Sequence, residues 1–286
     1  MNLYQTDFDD VRLSPIAGTW YPADPQVLAT EVDRYLAEAA KRLPPLEGEV
    51  VGVVAPHAGL RYSGPVAGYA FAAVQGMAPD VVAVVAPMHY PYREPLLTTA
   101  HHAYATPLGE IPVARDLLAA FGDQLEIRLG LRPTPVLNDP EHALEIELPF
   151  LQRALAKPFR LLPLMVRDYR PSVCRAVGEA LAEVLAEHSA LLVASTDLSH
   201  YYPATVARQL DETMLRRIAA LDPEGVLRAE REGTGFACGA GPVAAVLWAS
   251  KALGAQRGVV LRYGTSGDIT GDHTSVVGYG AVAILR

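Results

Sequence analysis

The chain has 286 residues, of which 50% are hydrophobic and 20% are charged. This composition excludes a disordered chain, and the length is enough to bury the core of one large domain or of two small ones. The 24 Lys and Arg against 32 Asp and Glu give a net charge of −8, which argues against nucleic acid or an anionic membrane as a partner.

Two further features indicate the compartment. Met1–Asp10 contains three Asp and no basic residue, unlike a secretory signal, and no apolar run reaches the roughly 18 residues of a membrane span. The two cysteines, Cys174 and Cys238, form no C-x-x-C pair and give no sign of an oxidising compartment. We therefore expect a cytoplasmic protein without a membrane segment.

Strand and helix patterns alternate along the chain. Apolar, mostly continuous runs predict buried strands at Val50–Ala55, Val81–Ala86, Arg160–Val166, Ala190–Ser195, Val259–Tyr263 and Val276–Leu285. Helical periodicity predicts helices at Pro25–Arg42, Pro65–Gln75, Ala114–Phe121, His142–Ala156, Pro171–His188, Thr205–Leu221, Pro223–Arg231 and Pro242–Leu253, five of which begin with a proline.

This alternation is typical of an α/β fold with a mostly parallel or mixed central sheet flanked by helices. No Gly/Ser linker, low-complexity tract or repeat interrupts the chain. A loop-like segment at Leu131–Pro140 is the alternative place for a boundary between two lobes. The simpler expectation is one domain over residues 1–286.

Three histidines follow the carboxyl ends of predicted strands. They are His57 after Val50–Ala55, His89 after Val81–Ala86, and His200 after Ala190–Ser195. In open α/β sheets ligands bind at that edge, because the loops that leave the strands converge there. The alternative for any one loop histidine is simple solvation, which we predict for His101, His102 and His188.

Cys238 lies between Ala237 and Gly239, just before a predicted helix. Glycine permits close backbone approach, and a helix N-terminus lowers the pKa of a thiol, so we predict a reactive or metal-ligating cysteine. Cys174, inside a predicted helix, is instead expected to be a buried small hydrophobe. Imidazole and thiolate ligands suit iron, copper or zinc, rather than magnesium or calcium.

Other polar groups are candidates for the same cleft. Asp197 precedes His200 by three residues and either orients an imidazole, acts as a general base or caps the following turn. His142 and Glu145, three residues apart on a predicted helix, are expected to point the same way. Glu141, Glu145 and Glu147 have a simpler alternative, which is to favour that helix N-terminus electrostatically.

A glycine-containing turn near His57 offers an anion contact. Gly59–Pro65 opens a predicted helix, and its Arg61 and Tyr62 are predicted to contact substrate, as is His142. The turn lacks the spacing of a P-loop or a dinucleotide-binding fingerprint, so a nucleotide is not expected.

Several motifs together resemble the Memo family, whose prokaryotic members are called AmmeMemoRadiSam system protein B. The motifs are AGTWYPAD at 17–24, APHAG at 55–59, RYSGP at 61–65, EIELPFLQ at 145–152 and STDLSHY at 195–201. The resemblance implies a fold like that of class III extradiol dioxygenases. It also implies metal ligands at His57, His89 and Cys238, with Asp197 and His200 as catalytic residues of the cleft.

This sequence departs from the family pattern in two places. Met88-His89-Tyr90 stands where Ser-His-His is usual, which questions any role for a second adjacent histidine. No obvious glutamate supplies the carboxylate that completes a dioxygenase metal site, which questions ring cleavage.

Three functions follow from the residues and the resemblance. The first is a redox protein that uses iron, with copper as the alternative metal and zinc as a weaker choice. The second is a non-haem iron dioxygenase that opens catechol rings. The third is a non-catalytic module that binds a peptide or small molecule in the cleft, because eukaryotic relatives are linked to phosphotyrosine-peptide recognition. The prokaryotic name also implies radical-SAM and Ammecr-type proteins as partners.

Overall fold

The computed structural model describes residues 10–286, so the expectation for Met1–Asp10 falls, apart from Asp10, outside the described residues. The strands are β1 (Val11–Arg12), β2 (Val50–Ala55), β3 (Val81–Pro87), β4 (Leu96–Thr99), β5 (Ala103–Thr106), β6 (Gly109–Pro112), β7 (Thr134–Val136), β8 (Arg160–Val166), β9 (Ala190–Ser195), β10 (His200–Tyr202), β11 (Arg257–Thr265) and β12 (Val276–Leu285).

The α-helices are α1 (Pro25–Ala40), α2 (Leu60–Ala72), α3 (Arg115–Leu129), α4 (Leu148–Ala154), α5 (Pro171–Leu185), α6 (Ala204–Ala219), α7 (Pro223–Glu232), α8 (Ala240–Ala252) and α9 (Gly267–Thr270). A 3-10 turn at Glu145–Glu147 precedes α4. Within residues 10–286, no helix has both the length and the apolar character to cross a membrane.

One mixed sheet forms the centre of the fold. Its order is β10-β12-β2-β9-β3-β8-β4-β7, with β11 added beside β12. The four central strands β2, β9, β3 and β8 run parallel to one another. β12 and β4 pair antiparallel on either side of this group. A small separate sheet has the order β1-β5-β6.

Helices cover both faces of the central sheet, which confirms the predicted α/β class. Alternate residues of β3 enter different hydrophobic clusters, because successive side chains of a strand point to opposite faces. Val82 and Val84 pack with residues of α1, α2 and α4. Val81, Ala83 and Val85 pack with residues of α3, α5, α6, α7 and α8. Both faces are buried, which explains why these strands are continuously apolar.

Two predicted helix starts are wrong. α2 begins at Leu60, so Pro65 lies inside the helix instead of in its first turn. The segment predicted as a helix from His142 becomes helical only at Glu145, as a 3-10 turn, and α4 starts at Leu148. Side-chain hydrogen bonds and ion pairs hold residues 139–145 in place of a helical backbone pattern.

Candidate metal site

Three adjacent parallel strands present polar residues at one edge of the sheet. His57 follows β2 by two residues, Asp197 follows β9 by two residues, and His89 follows β3 by two residues. Because β9 lies between β2 and β3, the three loops are neighbours. The ring centroids of His57 and His89 are 5.2 Å apart, in an edge-to-face arrangement. The parallel sheet therefore brings together two imidazoles that are 32 residues apart in sequence.

His142 completes a cluster of three imidazoles. Its ring centroid lies 5.4 Å from that of His57 and 4.8 Å from that of His89, and it stacks on Trp20 at 4.0 Å. One possible ligand atom from each of the three histidines lies within 4.8 Å of the others. We predicted His142 as a substrate contact, and its position makes it a candidate metal ligand as well. Glu145, expected to share its direction, points instead to Arg12.

Glu141 orients two of these rings. Its Oε1 lies 2.9 Å from Nδ1 of His89 and 3.2 Å from Nδ1 of His142. Its Oε2 accepts a hydrogen bond from the backbone N–H of His89 at 2.5 Å. With Nδ1 of both rings facing the carboxylate, Nε2 is left to bind a metal. Glu141 is therefore a support for the cluster, not the helix-terminus charge that the sequence suggested as its simpler role.

Burial favours the neutral form of two of these histidines, His57 and His142. Desolvation, together with the charges of His142 and His89, holds the pKa of His57 well below its usual range. Burial lowers the pKa of His142 to about 4, against the opposing effect of Glu141. For Glu141, burial favours the protonated carboxyl, but hydrogen bonding and the charge of His89 outweigh it and lower the pKa. Neutral imidazoles beside a carboxylate are the form that binds metals.

Cys238 lies against His57. Its Sγ is 3.2 Å from Nε2 of His57 and accepts a hydrogen bond from the backbone N–H of Asp197 at 3.3 Å. Two donor atoms bound at about 2.0–2.3 Å to one ion lie roughly 3–4 Å apart, so the Cys238–His57 spacing suits a shared metal. The ligand atoms of the three imidazoles lie up to 4.8 Å apart, so the widest pair would have to move closer by about 1–2 Å to bind one ion.

The expectation of a lowered Cys238 pKa is wrong. The residue precedes α8 by two positions, but burial raises the pKa of its thiol above the usual range, and the charge of Asp197 adds to this effect. Metal binding would have to displace the thiol proton. Cys174, a residue of α5, is buried in the core, as expected, and burial raises the pKa of its thiol to about 12.

Asp197 and His200 border the cluster in different ways. Oδ1 of Asp197 accepts hydrogen bonds from the backbone N–H groups of His57 at 2.8 Å and of Ala58 at 3.2 Å. Burial raises the pKa of Asp197 to about 7. His200 begins β10, and its Nε2 is buried without a hydrogen-bond partner among residues 10–286. Asp197 thus fixes the loop that carries His57, while His200 has an unused ring nitrogen.

Arg61 and Tyr62 lie in the first turn of α2, the helix that follows the His57 loop. Both are exposed, and the Arg61 guanidinium lies 5.9 Å from the centroid of the Tyr62 ring. Within the described part of the chain Arg61 makes no ion pair. Their predicted role in substrate binding stays a prediction.

One of the histidines predicted at the surface is buried. Nε2 of His101 accepts a hydrogen bond from the backbone N–H of Asn138 at 3.0 Å.

Sequence reasoning missed the residue that anchors the His142 segment. Arg12 is fully buried and pairs with Asp139 at 2.8 Å and with Glu145. It also donates to the backbone carbonyl of Glu141 at 2.8 Å. No sequence signal marks this role, because Arg12 precedes its partners by more than 120 residues.

The close packing of Gly239 on β9 gives a testable prediction. A Cβ at Gly239 would lie 2.4 Å from the carbonyl oxygen of Ser195 and 2.8 Å from Cβ of Thr196, whereas one at Gly59 would have its nearest neighbour, the Trp20 oxygen, at 3.5 Å. We expect Gly239→Ala to lower the free energy of unfolding by about 1–3 kcal/mol, because the backbone next to Cys238 must shift. Urea unfolding measures it, with Gly59→Ala as the matched control. Equal losses in the two variants would contradict this packing.

The donor set fits a transition metal. It consists of imidazoles with Nε2 directed away from their supporting oxygens, and a thiol in contact with one of them. Iron, copper and zinc accept such nitrogen and sulfur ligands, whereas magnesium and calcium require oxygen ligands. The structure therefore has a possible metal site at the carboxyl edge of the sheet.

Comparisons with known proteins find similar proteins that match nearly the whole chain. Residues 12–283 match the family model described as Memo-like protein. A MEMO1 family protein of Methanopyrus kandleri is 34% identical over 289 residues, covering 96% of this chain and 99% of the relative. One of Methanothermobacter thermautotrophicus is 35% identical over 276 residues, covering 94% and 98%. One of Nitrosopumilus maritimus is 31% identical, covering 96% and 100%. The chain belongs to the Memo-like family.

Proposed function

We propose that this protein is a metal-dependent redox protein that holds one iron or copper ion at the carboxyl edge of its sheet. The observation that carries the proposal is the cluster of His57, His89 and His142, with the Cys238 thiol in contact with His57. His57 and His89 are two of the ligands. The third is Cys238, as the sequence resemblance implies, or His142, which the geometry adds.

The donor chemistry supports a redox-active metal. A thiolate is a soft ligand that favours copper(I) and tunes the potential of iron, so a bound ion would supply one-electron chemistry. The chain itself holds the rings in place through Glu141 and the loop through Asp197. His200, which lies within electrostatic reach of His57 and His89, is proposed to accept or donate a proton at Nε2.

Ring cleavage is the weaker candidate. A dioxygenase site of two histidines and one carboxylate leaves positions open for the diol and for oxygen. Here Glu141 is occupied by hydrogen bonds from His89 and from the backbone, and Asp197 by backbone N–H groups. The group of three side chains among the described residues that could hold a metal ion consists of imidazoles alone. Sustained turnover of a panel of catechols by the anaerobically iron-loaded protein would favour the dioxygenase instead.

Metal analysis of anaerobically purified protein tests the proposal and identifies the third ligand. We expect one iron or copper per chain in the wild type and in His188→Ala, a control in an exposed histidine. If Cys238 is a ligand, Cys238→Ala loses the ion and Cys174→Ala keeps it. Loss in His142→Ala alone would assign the third position to His142. Full occupancy in His57→Ala and His89→Ala would contradict the site.

The pH dependence of metal affinity distinguishes Cys238 from His142 as the third ligand. A Cys238 ligand must lose its proton on binding, and its pKa is raised, so affinity should increase about tenfold per pH unit above pH 7.5. Neutral imidazole ligands release no proton in that range. A slope near one in the wild type and near zero in Cys238→Ala would assign Cys238, whereas a slope near zero in both would assign His142. Competition with a chelator of known pH dependence measures the slope.

A further inference from the structure

A buried polar chain lies behind His57, on the side of Nδ1. Oγ of Ser195 is 2.9 Å from Nδ1 of His57, 2.6 Å from Oε1 of Glu147 and 2.6 Å from the backbone carbonyl of Ala143. Ser195 and Glu147 are fully buried, and His57 is 2% exposed. Glu147 has no part in the metal cluster described above.

The number of available protons determines which atom donates in each of these hydrogen bonds. A serine hydroxyl has one proton to donate and two lone pairs that accept. The carbonyl of Ala143 can only accept, so it takes the Ser195 proton. Glu147 and His57 must then both donate to Ser195. If Glu147 were ionised, the one serine proton would have to serve two acceptors at 2.6 Å, and one oxygen pair would face each other with no hydrogen between them.

The surroundings of Glu147 also favour a neutral carboxyl group. Its second oxygen, Oε2, is buried and has no hydrogen-bond partner among residues 10–286, and no Lys, Arg or His of that range pairs with the carboxyl group. An unpaired buried carboxylate is costly, whereas a neutral carboxylic acid is tolerated. Burial raises the pKa of Glu147 well above its usual range, and the charge of Asp197 adds to this against the opposing hydrogen bond of Ser195.

We propose that Glu147 is a neutral carboxylic acid that donates to Ser195 and thereby holds His57 with its proton on Nδ1 and its lone pair on Nε2. Nε2 is the atom that faces Cys238. Glu147 is thus a positioning residue that acts on His57 through Ser195. The effect of Glu147 on metal binding rests on the proposed function. The protonation of Glu147 and the tautomer of His57, however, are properties of the metal-free protein.

The metal-free protein gives the first test. At pH 7 the partly protonated Asp197 also contributes a carboxylic-acid carbonyl band to the infrared spectrum. We expect a second such band in the wild type that is missing from Glu147→Gln and shifted in Ser195→Ala. Nitrogen NMR of histidine-labelled protein should show His57 protonated on Nδ1. Absence of this second band, or a His57 proton on Nε2, would overturn the proposal.

Stability against pH gives the second test. An acid that stays protonated in the folded protein but ionises in the unfolded chain destabilises the fold as pH rises above about 4.3. Relative to Glu147→Gln, the wild-type unfolding constant should increase about tenfold per pH unit between pH 5 and pH 7. Asp197 and, through Ser195, His57 are the titratable groups facing Glu147, and both variants share them. A constant difference over this range would mean that Glu147 is ionised.

Metal affinity tests whether the protonation of Glu147 affects the proposed metal site. Glu147→Gln keeps an N–H donor for Ser195, so Fe²⁺ affinity should stay within about threefold of wild type, whereas Glu147→Met should weaken it about tenfold. Equal losses in both variants would overturn the donor role. If the wild type bound no Fe²⁺, the proposed function would fail, while the spectra and the stability difference would still decide the state of Glu147.

Discussion

Arg12→Met is expected to lower the free energy of unfolding by about 3–5 kcal/mol, because it leaves the buried carboxylates of Asp139 and Glu145 without their cation. Asp139 faces Nε and Nη2 of the guanidinium at 2.8 and 3.0 Å. The Arg12 guanidinium also lies over the ring of Tyr104, 4.8 Å from its centroid. For a chain of this length the loss corresponds to a fall in melting temperature of roughly 10 °C.

The matched control is Arg34→Met. Arg34 pairs with Glu38 four residues along α1, and both side chains are about half exposed, so we expect a change of less than about 1 kcal/mol. The double variant Arg12→Met, Glu145→Gln should recover part of the stability lost in Arg12→Met, because one uncompensated charge is removed. Calorimetry or urea unfolding measures all three. A loss in Arg12→Met no larger than that in Arg34→Met would show that this buried network does not stabilise the fold.

His89→Ala is expected to weaken metal binding on the order of a hundredfold or more. Four-ligand zinc sites bind with about 10–16 kcal/mol, or about 2.5–4 kcal/mol for each ligand, and this variant removes one proposed ligand outright. Glu141→Gln keeps His89 but replaces an oxygen that accepts from His89, so it should cost about 10–100-fold. Zn²⁺ is a suitable probe for this series because it undergoes no redox change.

The order of these effects is the informative result. Wild type and His188→Ala should bind equally, Glu141→Gln more weakly, and His89→Ala most weakly. Melting temperatures of the metal-free variants separate loss of a ligand from loss of the fold. If His89→Ala bound Zn²⁺ as tightly as wild type while folding normally, His89 would not be a ligand and the cluster would need another explanation.

The sequence determined the central sheet and the residues at its edge. The runs Val50–Ala55, Arg160–Val166 and Ala190–Ser195 were predicted at their observed bounds, because strands buried on both faces leave a continuous apolar signature. The positions of His57 and His89 after two of the parallel strands then followed from local order along the chain. Short strands such as β5 and β6 were not predicted, since few residues define them.

The tertiary structure alone decided what completes the site. His142 joins His57 and His89 because the 139–145 segment is held by Arg12, an ion-pair anchor more than 120 residues away that no local pattern encodes. The pKa of Cys238 likewise depends on tertiary contacts that the local sequence does not reveal. A helix N-terminus near in sequence predicted a lowered value, but burial among Asp197, Thr196 and His57 raises it. Strand positions depend on local apolar runs, whereas charge states and ligand sets depend on contacts between distant segments.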